Sequence, residues 1–537
     1  MPSWPSDKPL PNRRADALTA AAVGAAFACR LPSIAEPIGI DQGIFLTTGW
    51  GMTRGLALYR DLWDQKPPAI HLTYAAAIRL AGPHASLVFW LDFVSAVATC
   101  ALIYAILRRI STPLAARLGA IVYATLMLPA ARYGYGGFLE RAVPECFIAL
   151  LAAAAWWVLT RTDTTPGTRR LAGAAALIGV AALYKPTAVA YFPAILAWLG
   201  TRSRLRWQSV ALATGALLAP AVLAAAWLAA AGGLTDAWIA VVEYNRAYVA
   251  LGSGPLVLID RLAHEGWRLT KTDPLWTLGV LGAAVAVVDL LRRRPAPAAW
   301  LGICWVAAGV LAAAANGIRM YSTYFIPAGA PLALLAGWLF SRIAEDHRPH
   351  RRLATAAGVL ALAAAVAIRS HYPARAWTTI MADIGGLRAS GEARLQYLER
   401  FGGYQTGRGY SARANAELAS YLAEHSEPSG RVYIFGMAPA VYFLAQRLPA
   451  NRFIWTYPGV INIVRRADFT PEALAASLAR SPPSYIVLER NNRDSLTGWR
   501  SEVEFASPAM RQVLEDYVHE VDIEDFMLYR RTPRKPS

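Results

Sequence analysis

At 537 residues, 55% hydrophobic and only 17% charged, with a mean hydropathy of +0.31, the chain is too apolar for a water-soluble protein. Its formal charge of +17 does not read as a nucleic-acid footprint, because the cations are dispersed in small clusters between apolar runs. The segment from His371 onward holds 20 Lys+Arg against 18 Asp+Glu, so the excess belongs almost wholly to the residues before it.

Those residues read as a polytopic α-helical membrane domain. Apolar runs of about 15–25 residues recur, the length a helix needs to cross the hydrocarbon layer, and helices satisfy their own backbone groups there. After a Pro-rich start and Arg13-Arg14, the run from Ala15 to about Ile34 is expected to be a retained first span rather than a cleaved leader. A polar stretch follows, IDQGIFLTTGWGMTRGLALYRDLWDQKPPAIH, from Ile40 to His71. Pro67-Pro68 then starts a helix short enough to lie at the interface. Further spans are expected at Ser86–Leu107, Leu114–Leu128, Cys146–Leu159, Leu171–Leu183, Thr187–Leu199 and Val210–Ala231. Beyond a long polar insert from Thr235 to Asp273, four more are expected at Leu275–Leu291, Ala299–Ala315, Phe325–Phe340 and Leu353–Ile368, about eleven in all.

With the N-terminus inside, every Arg-rich loop falls on the cytoplasmic side, as short cytoplasmic loops require. The loops holding Asp41, Glu145, Lys185, Tyr244 and Arg319 then face outward together with the tail, which places a multi-pass protein in the plasma (inner) membrane. The division expected is a membrane domain over residues 1–370 and an extracytoplasmic α/β domain over 371–537. In the latter, RVYIFG, FIWTY, SYIVLE and DFMLYRR read as strands, alternating with ARANAELASYLAEH, PEALAASLA and PAMRQVLEDY as helices. Residues 371–410 read as a linker or a membrane-surface helix. The four cysteines all lie in or beside apolar runs, where a thiol acts as a small hydrophobe.

Several outward residues have chemistry to offer. Asp41 suits a general base that deprotonates an acceptor hydroxyl, although its spacing alone favours a cap on the helix that follows. Glu145, at the mouth of an apolar span, is an acid whose depth demands a partner or a function; Glu140 is its neighbour, and either could instead complement the helix dipole. Lys66 and Lys185 each precede Pro in a chain with 48 Arg and 5 Lys. A compact ammonium at a membrane surface suits a phosphate, and also snorkelling to headgroups; Arg319 is placed to join it. Tyr59, Trp63, Tyr133, Tyr135, Tyr244, Tyr248, Trp267, Tyr321 and Tyr324 lie at the same face, where an aromatic belt explains most and a sugar or prenyl groove the remainder, with Tyr59 and Tyr321 the groove candidates. His71 and His84 lack a ligand constellation, so no metal residues are assigned and a divalent metal is the one cofactor left open.

The order of these motifs resembles the GT-C membrane glycosyltransferases related to protein O-mannosyltransferases and to the aminoarabinose transferase of lipid A. The features shared are a first span followed by IDQGIF, the YRDLWDQKPP segment, the acid in AVPECFIALL, the Lys185-Pro186 pair, YNRAY and RMYSTYFIPAGAPLALLAG, over roughly residues 10–370. The resemblance implies a sugar transferred by inversion from a polyprenyl-phosphate donor to an extracytoplasmic glycan, lipid or protein acceptor. It assigns Asp41 as the catalytic acid/base, Lys66 as a contact to the lipid phosphate, Glu145 as a second acid on the acceptor side, and Lys185 and Arg319 as supporting cations. Two positions depart from the family: Gln42 where many relatives have Glu, and Thr323 where many have His. A lipid-linked sugar flippase and a non-catalytic envelope-assembly protein are the rival readings, the former disfavoured because the polar residues cluster in outer loops rather than at the bilayer midplane.

Overall fold

A computed structural model describes residues 12–128, 137–161, 166–202, 204–250, 254–292, 296–317, 319–403, 409–493 and 497–532. Tyr133 and Tyr135 lie outside the described residues. The chain gathers into two compact units, one of Met1–Ile34, Phe89–Ala224 and Gly252–Asp383, the other of Ala35–Val88, Ala225–Leu251 and Ile384–Ser537.

The first unit is helical. Proline at the first helical position, where no N–H is needed, opens Pro113–Leu126, Pro144–Thr160, Pro274–Leu291, Pro297–Ala314 and Pro349–Arg369. Among the described residues, seven helical stretches are long and apolar enough to cross a membrane: Arg13–Ala35, Leu87–Ile110, Trp207–Ala230, Pro274–Leu291, Pro297–Ala314, Ser322–Ala344 and Pro349–Arg369. Shorter apolar helices occupy Pro113–Leu126, Pro144–Thr160 and Pro186–Gly200. The protein is a multi-pass membrane protein. Two ion pairs offset the cost of charge in this setting: Arg30 meets Asp92 at 2.8 Å and Arg342 meets Asp289 at 3.1 Å.

The polar insert is not a loop. It forms Leu234–Trp238, a π-turn over Ile239–Tyr244, Asn245–Ala250, and an 18-residue helix, Pro255–Thr272. That last helix segregates Leu258, Leu262 and Leu269 from Arg261, Arg268 and Lys271, a helical period that its many charges obscure in a hydropathy reading.

The second unit contains a five-stranded sheet in the order β2-β1-β3-β5-β4. Its strands are β1 Arg431–Phe435, β2 Leu448–Pro449, β3 Tyr485–Glu489, β4 Tyr517–Ile523 and β5 Phe526–Arg531. β1 pairs in parallel with β2 and β3, while β5 runs antiparallel to β3 and β4. β3 is buried at every residue, which its unbroken YIVLE run requires. Helices Ala412–His425 and Pro471–Arg480 form where their sequence periods place them, each N-capped by a hydroxyl, Ser411 and Thr470.

Two strand expectations are corrected. FIWTY, residues 453–457, is no strand; its Phe453 and Trp455 are buried around Trp63, with ring centroids 5.7 and 6.4 Å away. Conversely YVHEVDI is β4, an edge strand whose side chains are exposed or half-buried apart from Tyr517, and the PAMRQVLEDY helix ends at Leu514. Residues 372–388 and 391–398 are helical.

Candidate active site

In the second unit Asp41 lies in the first turn of the helix Ile40–Thr53. Gly39 is the N-cap residue, without a side-chain cap bond, so Asp41 is not the cap that its position before an apolar run allows. The carboxylate is half-buried and carries no hydrogen bond or ion pair to a described residue. Every residue from Gln42 to Gly51 is buried, because protein covers the helix on two sides. On one, Phe45 packs against His71 and Tyr74, with centroids 5.7 Å away in each case. On the other, Thr47 donates its hydroxyl to the Pro439 carbonyl at 2.8 Å.

Lys66 ends a loop that is held on three sides. The Tyr59 hydroxyl donates to the Lys66 carbonyl at 2.8 Å, Asn245 Nδ2 donates to the Gln65 carbonyl at 2.8 Å, and the Trp63 N–H donates to the Arg452 carbonyl at 2.9 Å. Asn245 follows the π-turn, a feature that re-aims side chains and recurs at functional sites. The Lys66 ammonium lies 5.9 Å from the centroid of Phe45, which stands one turn after Asp41 on the same stripe of its helix. Tyr59 is fully buried with its hydroxyl engaged, so it orients the Lys66 backbone from within.

Behind Lys66 lies Asp64, not singled out from the sequence, paired with His71, which the sequence offered only as a metal ligand. Asp64 and His71 are wholly buried, with Oδ2 and Nε2 3.2 Å apart, in ion-pair range but not aligned as a hydrogen bond. Burial opposes ionisation of Asp64, yet the Lys66 charge and the His71 ring outweigh it and hold the carboxyl below its ordinary value. The available signal was the i, i+2 placement of Asp64 and Lys66 before a proline-fixed helix start.

In the first unit, Glu145 sits in the first turn of Pro144–Thr160 and is 5% exposed. Lys185 donates to its Oε1 at 2.7 Å, and the same ammonium lies 3.8 Å from the centroid of Tyr324. With Thr187 and Asn316 these three line a small pocket. Arg319 Nη1 reaches the Tyr321 hydroxyl at 3.3 Å, and Tyr321 packs edge-on to Tyr324 at 5.5 Å, so both expected residues join the cluster through Tyr324. Glu140 instead accepts from Ser322 at 2.9 Å. Arg30–Asp92 supports this group: Asp92 Oδ1 accepts the Ala142 N–H at 3.4 Å, and Arg141 donates to the Ser33 carbonyl at 2.6 Å, fixing the approach to Pro144. An aspartate inside the LVFWLDFVSAVA run was its sequence signal.

Among the described residues no group of three or more His, Cys, Asp or Glu side chains is disposed to hold a metal ion. What the two clusters offer is a half-buried carboxylate at a helix start, an oriented ammonium, and a neutralised acid–lysine pair over an aromatic ring.

The family profile described as dolichyl-phosphate-mannose-protein mannosyltransferase matches residues 65–229. No curated protein matches the sequence. Among solved structures, ArnT from Cupriavidus metallidurans bound to undecaprenyl phosphate is similar at a TM-score of 0.61 and 14% identity, over 97% of this chain and 99% of that one. The apo state of the same protein gives 0.59 and 14%, over 96% and 98%. AglB from Archaeoglobus fulgidus, in complex with an inhibitory peptide and a dolichol-phosphate, gives 0.48 and 14%, over 97% of this chain and 75% of that one. Likeness to ArnT along nearly the whole of both chains gives this protein the GT-C fold, as the motif order leads one to expect.

Proposed function

We propose that this GT-C-fold chain is a membrane glycosyltransferase that moves a sugar from a polyprenyl-phosphate donor to an acceptor hydroxyl on the outer face of the plasma membrane. The observation that carries the reading is the end-to-end fold likeness to a protein whose structure holds undecaprenyl phosphate, joined to an Asp41 carboxylate that has no bond to a described residue, at the start of a closely covered helix. The match of residues 65–229 to a family named for a dolichyl-phosphate sugar adds support.

The chemistry needs two groups. Asp41 takes the proton of the acceptor hydroxyl, whose oxygen attacks the anomeric carbon from the face opposite the phosphate, as in other inverting sugar chemistry. The bond between that carbon and the phosphate oxygen breaks, and its electron pair leaves on polyprenyl phosphate. Lys66, with its carbonyl fixed by Tyr59, balances the charge that builds on the departing phosphate. Glu145 and Lys185 form a neutral pair beside Tyr324 that suits hydroxyl groups of a sugar or acceptor, with Arg319 and Tyr321 at its border. The segregation of basic loops supports an outward orientation for the loops that hold these residues and for the tail.

The test is transfer of radiolabelled sugar from polyprenyl-phosphate donors in membranes carrying wild type, Asp41→Asn or Lys66→Ala, with abundance checked in each. Transfer by wild type and its loss in an abundant Asp41→Asn is the expected result, and the labelled product identifies the acceptor. Equal transfer by Asp41→Asn overturns the catalytic assignment.

A further inference from the structure

Glu489 is a buried acid of the second unit to which the proposed reaction gives no part. Glu489 ends β3 and is 1% exposed. Its Oε2 accepts the Met437 N–H and, at 2.9 Å, the Asn492 side-chain amide. Gly436 makes room for it: a Cβ there would stand 2.3 Å from that oxygen. On its other side Gly436 donates its N–H to Thr456 Oγ1 and accepts the Thr456 N–H, both at 2.9 Å. The turn leaving β1 is thereby fixed at two consecutive residues.

Two residues further on, that turn meets the helix carrying Asp41. Pro439 accepts the Thr47 hydroxyl at 2.8 Å, and a Cβ at Gly43 would come within 2.6 Å of the Ala440 nitrogen, so backbone lies directly on backbone. Phe443 then stands edge-on to Trp50 at 6.4 Å. Gly43, Thr47 and Trp50 follow at i, i+4 and i+7, one continuous stripe of the helix.

We propose that Glu489 is a positioning residue for Asp41: through the Met437–Ala440 turn it sets the placement of the Ile40–Thr53 helix on which the general base is mounted. The inference rests on the reading of Asp41 as that base. The coupling is stiff because the Glu489 side chain is buried and held by two donors, and the contacts beyond it are main-chain or short side-chain groups. Burial, with Asp525 adding to it and the Met437 and Asn492 donors opposing, pushes the Glu489 carboxyl up to about 7, and in either protonation state an oxygen remains to accept from Met437. The geometry thus gives the tail domain a part in catalysis without touching substrate.

The experiment uses the full chain in membranes, comparing Glu489→Ala, Glu489→Gln and Thr47→Val. Glu489→Ala and Thr47→Val are expected to lower kcat by about 10- to 100-fold, the scale of a sub-ångström to one-ångström misplacement of a reacting group, with the donor KM unchanged. Glu489→Gln, which keeps an acceptor for Met437, is expected to restore kcat. In parallel, the rate at which a thiol reagent labels Asp41→Cys is measured with and without Glu489→Ala, and a faster rate is expected. That second arm needs no transfer activity, so absence of transfer by wild type sinks the glycosyltransferase reading while the labelling rate still decides the coupling. Wild-type kcat in both Glu489→Ala and Thr47→Val, an unchanged labelling rate, or a loss of kcat in Glu489→Gln equal to that in Glu489→Ala, overturns the proposal.

Discussion

Lys185 donates to Glu145 across 2.7 Å while its ammonium faces the Tyr324 ring at 3.8 Å, so neither charge of the pair stands alone in the helical unit. Both side chains are largely buried, at 13% and 7% exposure. Removing one partner leaves the other charge uncompensated, which costs roughly 3–5 kcal/mol at buried pairs. Glu145→Gln and Lys185→Met are each expected to lower the thermal unfolding temperature in detergent. The double variant is expected to recover part of that loss, and strict additivity would refute the coupling.

Asp41 gives the opposite expectation. Its carboxylate has no bond to a described residue, so Asp41→Asn should unfold at the wild-type temperature. Its transfer rate should fall by about 10²–10⁴-fold, the usual contribution of a general base. A variant that loses rate only in proportion to abundance would make Asp41 a structural residue.

Glu489 predicts a pH dependence of stability with a definite sign. Its folded carboxyl titrates at about 7 against an ordinary value of 4.5, because burial disfavours the charge. Between those values the folded protein holds a proton that the unfolded chain releases, so stability is greatest at the acidic end and falls as pH rises through the window. The full effect is roughly 3 kcal/mol. Glu489→Gln should flatten the difference between unfolding temperatures measured at about pH 5 and about pH 8, and an equal slope in wild type and variant would exclude Glu489 as its source.

Trp63 is the centre of an aromatic cluster with Tyr244, Phe453 and Phe469 at centroid distances of 4.9, 5.7 and 5.7 Å. Trp63→Ala opens a large cavity there and should destabilise its unit by roughly 3–5 kcal/mol. Because the loop that leads to Lys66 loses the packing of this ring while keeping only its main-chain bond to Arg452, the donor KM should rise in whatever protein still folds. Limited proteolysis of the tail and donor titration check the two parts separately.

The sequence by itself determined the helices, the charge segregation and the motif order. Apolar length and proline-started turns are local properties, which is why Pro144–Thr160 and Pro274–Leu291 form within two residues of where their runs place them. The residues of the site were legible singly: Asp41, Lys66, Glu145 and Lys185 stand out as rare charges beside greasy runs. Tertiary structure decided their partners. Nothing near Glu145 in sequence announces Lys185, 40 residues on, and nothing near Asp64 marks His71 as its buried mate. It also decided that FIWTY surrounds Trp63 instead of joining the sheet, since an aromatic run is apolar in either setting and only a partner from the distant segment Ala35–Val88 settles which. Pro439 beneath Thr47, 392 residues away, is the extreme case. A hydrogen bond between such positions has no local signature, because the pattern that forms a helix records which face is buried and not what buries it.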